Sequence, residues 1–150
     1  MRGEPDASES TGAMGGTGWL GLGRTLWKYS WTAPNTLIGL AIGLLLMGRF
    51  RWVDGVIEIH SQAIAIFLRR QWVPAAAMTL GHVVIGQDRS SLDRTRRHER
   101  IHVRQYERWG PCFLPAYVAF SVWAALRGRD PYRGNRFEIE AYANDGSGRA

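Results

Sequence analysis

Cysteine and lysine are nearly absent from the chain. The one cysteine in 150 residues, Cys112, excludes a disulfide framework and a cysteine-rich zinc finger. A metal site would therefore consist of His and carboxylate side chains. Charged residues make up 21% of the chain against 45% apolar residues, which excludes a disordered or collagen-like protein. The length fits one domain with one hydrophobic core.

The net charge of +6 is carried almost entirely by arginine, since Lys28 is the one lysine. This balance permits binding to nucleic acid or anionic lipid and requires neither. Acidic residues are interleaved with the arginines of the central segment, and no nucleic-acid motif is present. We therefore expect a solvated or lipid-facing helix surface and no nucleic-acid partner. The alternative is an arginine-rich nucleic-acid or lipid binder. The arginines concerned are Arg89, Arg94, Arg96, Arg97, Arg100, Arg104 and Arg108.

The N-terminal third divides into two segments of different composition. Residues 1–18 are small, polar and glycine-rich, without the basic start and apolar stretch of a signal peptide, so they predict a disordered leader. Residues 19–52 are aromatic and apolar. Their apolar run Leu37–Met47 is shorter than the about 20 residues of a membrane span. Flanking aromatic and basic residues indicate a buried or interfacial helix, with a true span as the alternative. A membrane-associated or cytoplasmic location follows.

Residues 53–145 predict a small α+β domain. Short apolar segments, Val56–His60, Ala63–Leu68 and Ala77–Ile85, predict three strands of a mixed or antiparallel sheet. A helix then begins near Ser90–Asp93 and ends at Trp109, before Gly110-Pro111. The uncharged segment 109–126 approaches the length of a membrane span, but its prolines favour a buried helix over 116–127. Asn135 predicts the start of a last short helix over 136–144.

The predicted central helix contains the motif H-E-x-x-H. His98 and His102 are four residues apart and so share one helical face, from which both imidazoles can bind one tetrahedral metal ion. Glu99 would project beside the metal, where it can accept a proton from an activated water and return it to a leaving amine. The motif predicts a zinc-dependent hydrolase, with Glu99 as the general base.

A catalytic zinc ion needs a third protein ligand, and the residues leave two candidates open. Glu138 and Glu140 follow on the last helix, about 200° apart, so only one can face the metal. Glu138 has a competing role, since a capping box would direct it back to the backbone of Asn135. His60 and His82 are further histidines, which we expect to be half-buried strand residues rather than ligands. His82 would lie on the strand before the motif helix.

Three segments together resemble the minimal gluzincin metallopeptidases. These segments are Ala77-x-Thr79-x-Gly81, then His98-Glu99-x-x-His102-x-x-Gln105, then Glu138-x-x-Ala141. The resemblance covers about residues 75–145. It implies a zincin-like fold in which a small sheet packs with the motif helix and a C-terminal ligand helix. It also implies that Glu138 rather than Glu140 is the third zinc ligand. Tyr142 departs from the pattern, since an Asp that orients a ligand is usual there.

The function expected is that of a zinc metallopeptidase. His98, His102 and Glu138 would bind Zn²⁺, and an extended peptide or protein substrate would pair with the strand that ends near Ile85. Tyr117, Tyr132 and Tyr142 are the candidate donors to the oxyanion of the reaction. The alternative is a metal-stabilised, membrane-associated scaffold that has lost turnover. The chain would then divide into a leader over 1–18, a membrane-associated or packing segment over 19–52, and the metal-binding domain over 53–145.

Overall fold

The computed structural model describes residues 17–71 and 73–146, and it shows an α+β fold, as predicted. The first sixteen residues of the predicted leader lie outside the described residues, and α1 begins at Thr17. In chain order the elements are α1 (Thr17–Leu45), β1 (Arg49–Val53), β2 (Val56–His60), α2 (Gln62–Arg69), β3 (Ala77–Leu80), β4 (Val83–Gly86), α3 (Arg89–Trp109), a single 3-10 turn (Gly110–Cys112), α4 (Phe113–Leu126) and α5 (Arg136–Asn144).

The four strands form one mixed sheet in the order β1-β2-β4-β3. β2 pairs with β4 in parallel, while β1 with β2 and β3 with β4 are antiparallel. β4 has a partner on each side and is buried along its whole length. β1 and β3 are therefore the two edge strands of the sheet, and β3 is the edge that contacts α3.

Helices cover both faces of the sheet. Side chains of α1 and α2 pack on one face, in a cluster with Ile59, Ile64, Leu68, Val83 and Ile85 at its centre. The opposite face packs on α3, in a cluster of Val56, Ala77, Val84, Leu92 and Val103. An aromatic cluster then joins α3 to α4 and α5 through Tyr106, Phe113 and Phe137. Because α3 packs on the sheet and on α5, it lies at the centre of the molecule.

The segment 63–68, predicted as a strand, is a helix. α2 begins after Ser61, whose hydroxyl accepts a hydrogen bond from the amide of Ile64 at 3.1 Å and so caps the helix. The buried residues Ile64, Ala65 and Leu68 recur at helical spacing. A short apolar run is compatible with either structure, and here the cap at Ser61 favours the helix.

The segment 77–85, predicted as one strand, is a hairpin of β3 and β4. The turn is at Gly81 and His82, and Gly81 has a φ of +63°, which L residues rarely adopt. A Cβ at Gly81 would also lie 2.7 Å from the backbone nitrogen of Thr36. The turn thus packs directly against α1, which the local sequence pattern does not reveal.

β1 was not predicted, because its residues were assigned to the segment over 19–52. The strand is mostly exposed and alternates arginine with aromatic residues. One of these arginines stabilises the sheet, because Arg51 donates a hydrogen bond at 2.5 Å to the buried carboxylate of Glu58 on β2. The N–H and C=O groups of β1 pair with β2 from Arg49 to Val53.

Prolines interrupt neither of the two apolar helices. α1 continues through Pro34, which lies on the exposed face while Thr32 and Asn35 are buried on either side of it. α4 begins at Phe113 rather than at 116, and Pro115 lies in its first turn. The N–H groups of a first turn have no acceptor within the helix, so the N–H that proline lacks costs no hydrogen bond.

Candidate metal centre

α3 carries the two histidines on one face, one turn apart. Asp88 caps the helix by accepting a hydrogen bond from the amide of Ser91 at 2.7 Å, and Gly110 ends it with a φ of +55°. The imidazoles of His98 and His102 meet edge to face, with 4.8 Å between ring centroids. Their Nε2 atoms are 3.1 Å apart, so both rings direct the same nitrogen to one point.

α5 brings the carboxylate of Glu138 to the same point. Asn135 caps α5 through its Oδ1, and its amide nitrogen bonds to α4 at the carbonyl of Tyr117 and the hydroxyl of Ser121. Phe137 is buried in the aromatic cluster, which fixes the rotation of the helix. Glu138 faces the histidines and Tyr117, and the capping box that would direct it to Asn135 is not formed.

The donor atoms of the three side chains lie close enough together to hold one metal ion. His98 Nε2 is 3.2 Å from Glu138 Oε2, and His102 Nε2 is 3.4 Å from the other carboxylate oxygen, Oε1. With one ligand atom taken from each residue, the three atoms lie within 4.8 Å of one another. Within the described residues, this is the group of His, Cys, Asp and Glu side chains that could hold a metal ion.

Each histidine has its other ring nitrogen held by an oxygen. Nδ1 of His98 donates to Asp145 Oδ2 at 3.1 Å, and Nδ1 of His102 donates to Gln105 Oε1 at 2.8 Å. With Nδ1 protonated in the neutral ring, the lone pair is on Nε2, which faces the common point. A carboxylate or amide oxygen behind a ligating histidine fixes both tautomer and ring orientation. The arrangement therefore prepares both histidines to bind a metal.

Asp145 is the site residue that sequence reasoning missed. No role is predicted for it from the sequence, yet its side chain is 7% exposed and contacts His98. A signal was present, because Glu138, Ala141 and Asp145 are spaced three and four residues apart and so share one face. Asp145 thus supplies a carboxylate behind His98 although Tyr142 stands at the expected position. The ring of Tyr142 packs instead on His98, at 4.6 Å between centroids.

Glu140, the alternative third ligand, faces away from the three donor atoms. Its carboxylate accepts hydrogen bonds from Arg108 at 2.7 Å and from Gln105 Nε2 at 3.1 Å. Gln105 is completely buried and also donates to the carbonyl of Phe137. A chain of hydrogen bonds therefore runs from Arg108 through Glu140 and Gln105 to His102. Glu140 is therefore two hydrogen bonds removed from His102 and contacts none of the three donor atoms itself.

The electrostatics of the site favour a positive charge at its centre. Burial lowers the pKa of His98 and His102, but the hydrogen bonds to Glu138 and the charge of Glu99 outweigh burial and leave both pKa values raised. Burial raises the pKa of Glu138, and the hydrogen bonds from the two histidines and Tyr117 outweigh it, so that this pKa is well below its usual range. Glu138 is ionised at neutral pH and its charge is directed at the histidines.

Glu99 is held by β3. The hydroxyl of Thr79 donates to Glu99 Oε2 at 2.7 Å and lies 3.3 Å from the backbone carbonyl of the same residue. Both side chains are buried. The threonine of the A-x-T-x-G segment is thus the residue through which the edge strand fixes the carboxylate of the H-E-x-x-H motif.

The three tyrosines proposed as donors surround Glu138 and His98. Tyr117 donates its hydroxyl to Glu138 Oε1 at 2.7 Å, and burial raises its pKa, so it stays protonated. The hydroxyls of Tyr132 and Tyr142 are 3.4 Å apart. Burial and the hydrogen bond to Tyr142 raise the pKa of Tyr132.

The other two histidines lie outside the site. His82 is in the β3–β4 turn rather than on a strand, and its ring bonds to Thr32 at 2.8 Å and Glu107 at 3.2 Å. It lines a separate cavity of about 360 Å³, whose α3 residues include Arg100 and lie on the side of the helix opposite His98. His60 ends β2 and is not part of the metal-binding group.

Comparisons with protein-family models, with curated proteins and with solved structures found no match to this chain.

Proposed function

We propose that the protein is a zinc-dependent metallopeptidase of zincin-like fold. The observation that carries the proposal is the convergence of His98, His102 and Glu138, whose ligand atoms lie within 4.8 Å of one another, with Glu99 held by Thr79 on the same helix as the histidines. Three protein ligands leave a fourth position open, as in catalytic rather than structural zinc sites.

The donor set supports zinc among the divalent metals. Two imidazoles and one carboxylate suit Zn²⁺ at four-coordinate geometry, and the single cysteine, Cys112, has no role in the group. A bound Zn²⁺ supplies Lewis-acid activation of water at neutral pH. The protein residues then provide orientation, through Asp145 and Gln105, and a negative charge that is balanced by the ion.

Glu99 carries out the proton transfers in the proposed reaction. Its carboxylate accepts the proton of the attacking water as the new C–O bond forms at the scissile carbonyl. The same proton passes to the amine nitrogen when the C–N bond breaks, which regenerates the ionised carboxylate. Thr79 donates to one oxygen, Oε2, and so orients the group while the other oxygen, Oε1, takes the proton.

The free edge of the sheet offers a place for an extended substrate. The sequence led us to expect pairing along the strand ending near Ile85, but that residue lies on β4, which has strands on both sides. Edge pairing is available instead on β3, Ala77–Leu80, whose outer N–H and C=O groups have no strand partner among the described residues. β3 also carries Thr79, so a peptide added there would run beside Glu99.

The tyrosine pair Tyr132 and Tyr142 is the candidate donor to the oxyanion. Tyr117 is engaged with Glu138, which argues against it. Tyr132 also has a hydrogen-bond interaction with Glu138. The bond between the hydroxyls of Tyr132 and Tyr142 is long, at 3.4 Å, so Tyr142 can exchange it for a bond to a substrate oxygen. A neutral phenol near the metal supplies the kind of donor that stabilises a tetrahedral oxyanion.

The test is cleavage of a peptide library made from digested cell lysate, read by mass spectrometry. The zinc-loaded protein should cleave peptides at internal bonds, and 1,10-phenanthroline should stop cleavage until zinc is restored. Glu99→Gln should lower the rate by about 100-fold or more while zinc content is unchanged. Glu140→Gln is the matched control, because Glu140 faces away from the donor atoms, and it should retain most activity.

Two outcomes would contradict the proposal. Cleavage that persists in Glu99→Gln would exclude the assigned base. Stoichiometric zinc with no cleavage in the whole library would exclude peptidase activity and favour the metal-stabilised scaffold.

A further inference from the structure

α1 exposes large apolar side chains, which a surface helix usually buries. Between Trp31 and Leu45, the fully buried residues of α1 are small or polar, namely Thr32, Asn35, Gly39 and Gly43, and Leu40 and Ile42 pack half-buried against the sheet. The exposed face is entirely apolar, and it consists of Trp31, Pro34, Leu37, Ile38, Ala41, Leu44 and Leu45. We call these seven residues the α1 stripe. A helix on a soluble protein has its large apolar side chains inside and polar ones outside.

The polar groups on the inner face of α1 are satisfied within the protein. The hydroxyl of Thr32 is bonded to His82, and the amide of Asn35 donates to the carbonyl of Gly110. The glycines allow close approach to the sheet, since a Cβ at Gly39 would lie 2.8 Å from that of Val83 and one at Gly43 would lie 2.5 Å from Ile59 Cδ1. The inner face therefore packs closely on the sheet, while Trp31, Leu37, Ile38, Leu44 and Leu45 remain exposed.

α4 likewise exposes large apolar side chains, although Phe113 and Phe120 on its inner face pack in the aromatic cluster. Its polar side chains, Tyr117 and Ser121, turn inward to Glu138 and Asn135. The outward side chains are apolar, and the large ones are Leu114, Val118, Val122, Trp123 and Leu126, each at least 40% exposed. We call these five the α4 stripe.

The two stripes come together at the 3-10 turn between α3 and α4. The ring of Trp31 packs on Gly110, where an added Cβ would lie 2.2 Å from its Nε1. Trp27 stacks on Trp31 at 5.5 Å between centroids, and Trp109 is 39% exposed beside the turn. The apolar surface thus continues from one helix to the next through a group of tryptophans, which favour the interface between membrane and water.

Cations border each stripe. The uncharged part of α1 lies between Lys28, whose half-exposed ammonium pairs with Glu107 at 2.9 Å, and Arg49, which is exposed. α4 is followed directly by Arg127, whose guanidinium lies 4.2 Å from the ring centre of Trp123, and then by Arg129. Basic groups at the ends of an apolar helix are placed to meet anionic headgroups while the apolar side chains lie deeper.

We propose that the α1 and α4 stripes insert into one leaflet of an anionic lipid bilayer, with the bordering cations at the headgroups. By length and composition, one helical stretch of the described residues qualifies as a membrane span, Arg89–Leu126, in which α3 continues into α4. Its apolar part, α4, has 14 residues and a length of about 21 Å. The hydrocarbon core is about 30 Å thick, so insertion from one side fits the helix better than a span.

The test is flotation of the purified full-length protein with preformed vesicles. Vesicles of phosphatidylcholine and phosphatidylglycerol should carry the protein upward, and vesicles of phosphatidylcholine alone should carry less, with the difference declining as salt rises. The double variant Leu37→Gln/Leu44→Gln should lower the partition coefficient by about tenfold or more, because two large apolar side chains lose their burial in lipid. Val118→Gln/Val122→Gln should do the same for α4.

Ile139→Gln is the matched control. Ile139 is 54% exposed, as the stripe residues are, but it belongs to neither stripe and lies on α5, which packs on α3 and α4. Its partition should equal that of the unchanged protein. All substituted side chains are exposed, so the variants should keep their circular dichroism spectra and melting temperatures.

Three results would overturn the proposal. Failure of the protein to float with anionic vesicles would exclude lipid as the occupant of the stripes. Equal flotation of the stripe variants would place binding elsewhere. A detergent-free dimer, shown by light scattering, that the stripe variants convert to monomer would assign the surface to a second copy of the chain.

Discussion

Asp145 and Gln105 determine which ring nitrogen each histidine directs at Glu138. Asp145 holds Nδ1 of His98 and Gln105 holds Nδ1 of His102, so both Nε2 atoms point to the carboxylate of Glu138. The orienting contacts come from outside the motif, one of them from the end of α5. The site therefore depends on more residues than the three donors.

Replacing Asp145 should weaken metal binding without removing it. In Asp145→Ala, His98 keeps its ring but loses the oxygen that fixes its tautomer and orientation. Zinc affinity should fall by about 10- to 100-fold, measured by competition with a chromophoric chelator. Asn144→Ala, one residue away and exposed, should bind zinc as the unchanged protein does. Equal affinity in the two variants would exclude the orienting role of Asp145.

Replacing Thr79 should affect the rate of hydrolysis and not the binding of metal or substrate. In Thr79→Val, the carboxylate of Glu99 loses the hydrogen bond to its Oε2. We expect kcat to fall by about tenfold with KM and zinc content unchanged, because the base is less well positioned. Thr79→Ser keeps the hydroxyl and should have the kcat of the unchanged protein. A purely structural role would instead lower the melting temperature of Thr79→Val and leave kcat intact.

Two of the three candidate donors, His98 and His102, could be grouped from the sequence because their spacing is local. His98, Glu99 and His102 lie on adjacent turns of one helix, and the choice of Glu138 came from the resemblance. Thr79 and Asp145 could not be assigned roles in the same way. Their contacts join residues 20 and 47 positions apart, and such contacts depend on how elements pack.

At the scale of elements, strong caps made helices predictable and short apolar runs remained ambiguous. α5 has the predicted bounds, and α3 ends at the predicted Trp109, because Asn135 and Gly110 mark these ends. The run 63–68 lacked the length to distinguish strand from helix. The run 77–85 contains a turn that was not predicted, because the conformation of that turn depends on the packing of Gly81 against α1.

Gly39 should be required for the packing of α1 on the sheet. In Gly39→Ala, the new methyl would lie 2.8 Å from Cβ of Val83 and 3.1 Å from Cβ of Leu80. We expect a loss of about 1 kcal/mol in the free energy of unfolding, in which the clash outweighs the gain in helix propensity.

Gly23→Ala, on the same helix with nothing within 4 Å, isolates the propensity effect. It should gain up to about 1 kcal/mol. Chemical denaturation measures both changes, and a stabilised Gly39→Ala would contradict the close packing of α1 on β4.

At the scale of the whole molecule, the carboxylate of Glu58 connects the sheet to α3 through hydrogen-bonded ion pairs. Glu58 of β2 is 2% exposed and accepts hydrogen bonds from Arg51 of β1 and Arg96 of α3. Asp93, half-exposed, pairs with the same two arginines. The network therefore joins an edge strand, an inner strand and the helix that carries the two histidines of the candidate metal centre.

Glu58→Gln should destabilise the protein in a pH-dependent way. Burial raises the pKa of Glu58, but hydrogen bonds from Arg96 and Arg51 outweigh it and leave the pKa below its usual value. A lowered carboxyl pKa stabilises the fold above the unfolded pKa, and this is lost as pH falls through the folded pKa.

At pH 7 the variant should lose about 2 kcal/mol, and the difference should shrink below about pH 4. Asp93→Asn, a more exposed member of the network, should lose less than about 1 kcal/mol. A difference from the unchanged protein that stays constant between pH 7 and 3, in urea denaturation, would contradict the ionic role of Glu58.

The central claim is that α3 and α5 together build a zinc site, and metal analysis by mass spectrometry tests it most directly. The account predicts one zinc ion per chain in the zinc-supplied protein, lost in His98→Ala, His102→Ala and Glu138→Gln and retained in Glu140→Gln. Glu140 is the matched control because it lies on the same helix and bonds to Arg108 and Gln105 instead of facing the donors. Absence of zinc from the zinc-supplied wild type, or its retention in Glu138→Gln, would contradict the assigned site.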